Sequence, residues 1–144
     1  MQNSPPVQMS SQPPVQTAKS STGLDENIAA LLSYIFGWVS GLIFFLIEKD
    51  SRLVRFHAMQ SLLFNVVVGV VAIALWIVLF VVFLVVSQVS GALATLLSLV
   101  SLLVWVVFLI AIFGGFILCL VKAFQGQYFK LPVIGNFAEK FSTK

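Results

Sequence analysis

The stretch Glu48-Lys49-Asp50-Ser51-Arg52-Leu53-Val54-Arg55-Phe56-His57-Ala58-Met59-Gln60-Ser61 decides the fold. It holds five of the chain's charged residues, of which there are eight Lys or Arg and five Asp or Glu, and it contains the single histidine. Long apolar runs flank it on both sides. From Val66 to Val86 there are 21 residues without a polar side chain. Inserting such a run into a bilayer is favoured by about 6–12 kcal/mol, which no single polar neighbour can overturn. From Leu102 to Val121 another 20 positions are non-polar. About 20 residues suffice to cross the hydrocarbon core. The chain therefore reads as an all-α, polytopic membrane protein.

Composition agrees. Apolar residues make up 60% of the chain and charged residues 9%, with a mean hydropathy of +1.07. Soluble domains carry about 45–50% apolar and about 25% charged residues. The net charge of +3 is confined to tails and one loop, which excludes a nucleic-acid footprint. Cys119 is the one cysteine, so an internal disulfide is excluded.

Working outward, residues 1–24 are rich in Pro, Gln and Ser and include the imperfect repeat Pro5-Pro6-Val7-Gln8 and Pro13-Pro14-Val15-Gln16. Such a segment buries too little apolar surface to offset its ordering entropy, so it reads as disordered. A three-helix transmembrane domain follows over residues 25–126, with spans at about 27–47, 56–86 and 92–122. In the first span Ala29, Ser33, Gly37 and Gly41 recur every four residues, which predicts a small-residue packing seam on one helical face. The partner of that seam is another helix of this chain or a second copy. Ser87-Gln88-Val89-Ser90-Gly91 forms the uncharged turn between the second and third spans. Residues 127–144 form a basic tail in which Ile134, Phe137, Ala138 and Phe141 share one side of a short helix, predicting an interfacial segment.

Three spans place the cations of loop 48–55 (Lys49, Arg52 and Arg55) with those of the C-terminal tail (Lys122, Lys130, Lys140 and Lys144). Counting Lys and Arg then puts this side in the cytoplasm and the N-terminus outside. Lys49, Arg52, Arg55, Lys122 and Lys130 serve as topology determinants with access to lipid headgroups. The expected location is a prokaryotic cytoplasmic (inner) membrane.

His57, Ser61 and Asn65 are spaced by four residues, with Gln60 beside them, and form a polar helix face at the mouth of the second span. That face either bonds to neighbouring helices or lines a passage. Ionisable groups at depth usually mark ion pathways, and no carboxylate lies deep in any span, which favours packing. The inventory of side chains offers no catalytic, cofactor-binding or metal set, so a non-enzymatic role with no cofactor is expected.

Several stretches resemble a known family. They are Asn27-Ile28-Ala29-Ala30-Leu31-Leu32, Gly41-Leu42-Ile43, His57-Ala58-Met59-Gln60-Ser61-Leu62 and the ending Val121-Lys122-Ala123-Phe124-Gln125-Gly126-Gln127-Tyr128-Phe129-Lys130-Leu131-Pro132. Together they resemble the Tic-twenty family of chloroplast protein-import components and related small prokaryotic membrane proteins, over about residues 25–140. Phe56, His57, Gln60, Ser61, Lys122, Gly126 and Pro132 carry the match. The resemblance implies a channel-like translocon part, usually with four helices. Two functions follow as expectations: a subunit or accessory factor of a membrane complex, or a homo-oligomeric channel or small-solute transporter. The expected partners are the lipid bilayer and either a second copy or another membrane protein, with no nucleic acid and no small-molecule substrate.

Overall fold

The computed structural model describes residues 18–132 and 134–142. The repeat-bearing tail up to residue 17, together with Val133, Thr143 and Lys144, lies outside the described residues. Five helices follow in order: α1 (Glu26–Ile35), α2 (Trp38–Ile47), α3 (Arg52–Val89), α4 (Gly91–Phe124) and α5 (Ile134–Ser142). There is no strand among the described residues, and Lys19 and Asp25 form one isolated bridge.

Helices α3 and α4 take up the second and third expected spans. They are 38 and 34 residues long and strongly apolar. At 1.5 Å per residue they measure roughly 57 and 51 Å, well beyond the ~30 Å hydrocarbon core, so each is long enough to cross it. Helix α3 begins where Ser51 caps it, accepting from the Val54 N–H at 3.2 Å. Its apolar run continues to the uncharged turn, where Ser90 alone separates it from α4. Helix α4 ends as its sequence predicts, with Lys122 in the last turn and Gly126 at φ +67°. The Gln127 N–H returns to the Lys122 carbonyl at 3.0 Å and the Gly126 N–H to Ala123 at 3.0 Å.

The first expected span departs from the sequence reading. Residues 27–47 form two ten-residue helices, not one. Each is roughly 15 Å long, half of what a crossing needs. The break falls at Gly37, whose φ of 60° and ψ of −128° suit glycine alone. A break inside a bilayer strands backbone groups that water cannot reach. Ser40 repairs it: its hydroxyl accepts from the Phe36 N–H at 3.1 Å and bonds the Ser33 and Gly37 carbonyls at 3.0 and 3.2 Å. Ser61 of α3 adds a bond to the Gly37 carbonyl at 3.1 Å. The chain therefore turns back on itself at residues 36–37.

Both ends of the α1–α2 hairpin lie together. The Ser21 N–H donates to the Glu48 carboxylate at 3.0 and 3.1 Å, and the Ser21 hydroxyl donates to it at 2.8 Å. The Ser21 hydroxyl also accepts from the Lys49 N–H at 2.9 Å. The hairpin thus enters and leaves on one side. This corrects two expectations. Residues 18–24, read as the end of a disordered tail, are fastened to the 48–51 loop. They also sit at the same end of the molecule as that loop, whereas one unbroken span would have set them at the opposite end. All twelve described charged side chains, Lys19 among them, cluster at that end of the molecule.

The hairpin packs on the first turns of α3 and the last turns of α4. Ala29, Ala30 and Tyr34 of α1, Leu53 and Val54 of α3, and Cys119 and Ala123 of α4 form one buried cluster. The seam expected of Ala29, Ser33, Gly37 and Gly41 does not run along one helix, because Gly37 is the hinge. Its members nevertheless face inward, toward helices of this same chain. A Cβ on Gly41 would stand 2.9 Å from the Ala58 carbonyl oxygen and 3.1 Å from the Leu62 nitrogen. Only glycine allows α2 this approach.

Helix α5 packs on α3 through Ala138, against Phe56 and Met59. Of the side that the sequence marked as apolar, Ala138 packs and the two phenylalanines do not. Gly135, Ala138 and Ser142 are buried, while Phe137 and Phe141 are exposed. Small residues let the helix approach closely, and the two phenylalanines are left along one flank.

A substitution test separates the close approach from ordinary apolar surface. Gly41→Leu is expected to lower unfolding stability in detergent by about 1–3 kcal/mol, since the neighbour it meets is backbone. Gly69→Ala, with nothing within 4 Å, is expected to change it by no more than about 1 kcal/mol. Thermal midpoints followed by circular dichroism compare the two.

Candidate functional site

Two polar clusters occupy the end of the molecule where the chain termini of α1, α3 and α4 meet. The first is built on Glu48, which is fully buried. Besides the three bonds from Ser21, its carboxylate accepts from the Asp50 N–H at 3.0 Å and the Ser51 N–H at 2.9 Å. Arg55 donates to the Glu48 carbonyl at 3.0 Å and lies over the Phe45 ring, 5.1 Å from its centroid. Burial alone would raise the Glu48 carboxyl, but the hydrogen bonds from Ser51, Ser21 and Asp50 outweigh it and hold the group below the usual carboxylate range. The charge is therefore structural: it ties the segment before α1 to the turn before α3.

The second cluster lies deeper, between α1, α3 and α4. His57 is fully buried. Its Nε2 lies 3.1 Å from the Gln127 carbonyl and its Nδ1 lies 3.1 Å from the Tyr34 hydroxyl. A carbonyl can only accept, so Nε2 carries a proton, and Nδ1 shares a hydrogen bond with the Tyr34 hydroxyl. The ring thereby joins α1, α3 and the segment after α4. Tyr34 also meets the Phe116 ring edge-on, with centroids 6.1 Å apart. Gln60 donates to the Cys119 sulfur at 3.4 Å, and its Oε1 is buried with no partner.

The residues singled out as a polar helix face are divided by the fold. His57, Gln60 and Ser61 are buried and turned toward α1, α2 and α4. Asn65 stands farther along α3, donates to its own helix at the Ser61 carbonyl at 2.9 Å, and lies beside the hinge glycine Gly37. His57, Gln60 and Ser61 are each engaged by another part of the chain, whereas Asn65 is bonded within α3. Tyr34 and Cys119 complete the cluster, and sequence reading did not connect them to it. A tyrosine in the last turn of an apolar helix, facing a cysteine some 85 positions away, leaves no local signature.

The cations fare differently from one another. Lys49 and Arg52 are exposed. Lys122 donates to the Gln125 and Gln127 side chains at 3.4 and 2.9 Å, and Lys130 pairs with Glu139 at 2.7 Å. Among the described residues no three His, Cys, Asp or Glu side chains come close enough to hold a metal ion.

The fold and these clusters define a small helical membrane protein: two long apolar helices, a half-length hairpin, and a buried polar network at one end. The sequence profile of the magnetosome magnetite crystal formation protein family matches residues 23–138. The chain belongs to that family. It is also similar to archaeal membrane proteins of the UPF0132 group. One from Methanocaldococcus jannaschii is 36% identical over 127 residues, covering 86% of this chain and 94% of its own. One from Archaeoglobus fulgidus is 34% identical over 117 residues, covering 81% and 95%. A second from Methanocaldococcus jannaschii is 31% identical over 122 residues, covering 83% and 71%. No solved structure matches the chain. The family match overturns the resemblance to Tic-twenty. The stretches that suggested it fall almost wholly within residues 23–138, and they belong to this other family.

Two measurements test the clusters. His57→Ala strands the buried Tyr34 hydroxyl and the Gln127 carbonyl and is expected to cost about 1–3 kcal/mol. Asn65→Leu, which breaks a bond within one helix only, is expected to cost under about 1 kcal/mol. For Glu48, a carboxyl depressed by folding contributes stability that is present above its unfolded pKa and lost as pH falls through its folded value. Detergent-solubilised protein is thus expected to lose stability on acidification below the ordinary carboxylate range, and Glu48→Gln is expected to flatten that dependence.

Proposed function

We propose that this protein is a non-enzymatic accessory component or subunit of a membrane complex. One observation carries the reading. The polar side chains that enter the membrane are spent on holding the chain together, while the exposed charges are gathered at one face. His57, Gln60, Ser61 and Glu48 bond within the molecule, and Lys49, Asp50 and Arg52 remain at the surface. A surface of that kind is suited to meeting headgroups and partner proteins. The family's description connects it with magnetite crystal formation, and a membrane-bound accessory role is compatible with that connection. The channel reading needs His57, Ser61 and Asn65 to face a passage, and their engagement within one chain weighs against it.

The orientation follows from charge. The described cations share one face, and the opposite turn at Gln88 to Gly91 has none. Positive charge favours the cytoplasmic side. The charged face, including residues 18–25 and the segment after α4, is therefore assigned to the cytoplasm of a prokaryotic inner membrane.

Single cysteines test both parts. In intact cells an impermeant maleimide is expected to label Ser90→Cys and to spare Lys49→Cys until the membrane is opened; the reverse pattern would refute the orientation. Crosslinking from Lys49→Cys in native membranes, followed by native-size analysis, is expected to capture a larger assembly. A protein that stays monomeric and crosslinks to nothing would argue against the accessory role.

A further inference from the structure

The five helices are distributed unequally through the bilayer. The α1–α2 hairpin reaches along α3 only as far as its hinge, where Gly37 meets Ser61 and Asn65. Its contacts with α4 are confined to the other end of that helix, at Phe116, Cys119 and Ala123. Helix α5 adds to the same end through Phe56 and Met59. Beyond Asn65 and before Gly115, α3 and α4 continue alone to the turn at Ser90. Among the described residues, Ala94 is the one buried residue in that far section.

The hairpin nonetheless belongs in lipid. Its outer side presents Phe36, Trp38, Leu46 and Ile47, at 76%, 56%, 67% and 47% exposure, and its charges sit at its base only. It runs beside roughly the first third of α3 and stops at Asn65, before the Val66–Val86 run begins, so it stays on the cation-bearing side of the bilayer midplane. On α5 the exposed Phe137 and Phe141 flank faces away from Glu139, which pairs with Lys130. One edge of α5 is thus suited to acyl chains and the other to water.

Each helix with its side chains is about 10–12 Å across. Five of them stand in the leaflet bearing the cations and two in the other, a difference of roughly 3 nm² of protein cross-section. A bilayer accommodates unequal areas in its leaflets at least cost by bending toward the smaller one. We propose that the protein is a membrane wedge: it favours, and at high density imposes, curvature that is convex on the face carrying the cations. Its partner in this is the lipid surface itself. The inference does not depend on the accessory role above, since it rests on shape alone.

Tubes pulled from giant vesicles of phosphatidylcholine with a minority of phosphatidylglycerol, containing the full chain, test it. External labelling with an impermeant fluorophore at Lys49→Cys marks molecules whose cation face points outward; labelling at Ser90→Cys marks the opposite population. Buried Cys119 stays silent in both. The outward population is expected to be enriched severalfold on the narrow tube relative to the flat vesicle, and the inverted population depleted. Equal densities on tube and vesicle would overturn the proposal, and so would enrichment that ignores orientation. The double variant Phe137→Ser, Phe141→Ser changes exposed side chains only and is expected to reduce the enrichment. An unchanged value would remove α5 from the wedge.

Discussion

Hydrocarbon cannot hydrogen-bond a peptide group, and this constraint governs the structure more than any single contact. The chain breaks a helix within an apolar stretch, and the break is tolerable because two serines supply what water would elsewhere. Ser40 serves the groups on both sides of the hinge and Ser61 reaches across from α3. Once the hinge is satisfied, the hairpin must return to the side it came from. Its two ends then need fastening, and Glu48 does this with donors from Ser21, Asp50 and Ser51. The histidine network and the glycine contact at Gly41 secure the hairpin to the two spans. Each feature answers a requirement created by the one before it.

The long helices were legible in the sequence because their signal is additive: twenty or more apolar residues in succession outweigh any local detail. The end of α4 was legible too, since Lys122 and Gly126 mark a helix terminus by mechanisms that act within one turn. The hinge was not. Gly37 sits four residues before Gly41, and the same spacing describes a packing seam and a break followed by a close contact. Only the positive φ at Gly37 separates them, and φ is set by what packs around it. The topology error followed directly. A broken span read as a whole one puts residues 18–25 at the far end of the bundle from the 48–51 loop, where Ser21 in fact binds.

For the polar cluster, the sequence supplied half. His57, Gln60 and Ser61 were recognisable by their period on a helix face, and packing was the favoured reading of that face. Their partners Tyr34 and Cys119 stand on other helices, so no spacing rule connects them. Helix α5 offers the opposite lesson. Its hydrophobic side was apparent, but burial followed the small residues Gly135, Ala138 and Ser142, because close approach to α3 gains more packing there than the phenylalanines could provide at a distance. The family resemblance drawn from short motifs failed for a related reason: such motifs reflect how helices end and pack, which membrane proteins of different families share.

The turn at Ser90 has a consequence of its own. A single non-helical residue joins two helices of more than 30 residues each, so the compartment on that side meets little more than Gln88, Val89, Ser90 and Gly91. Proteases, antibodies and soluble factors there find scarcely any chain to grip. Among the described residues, every charged side chain that a soluble partner could meet lies at the other end of the molecule.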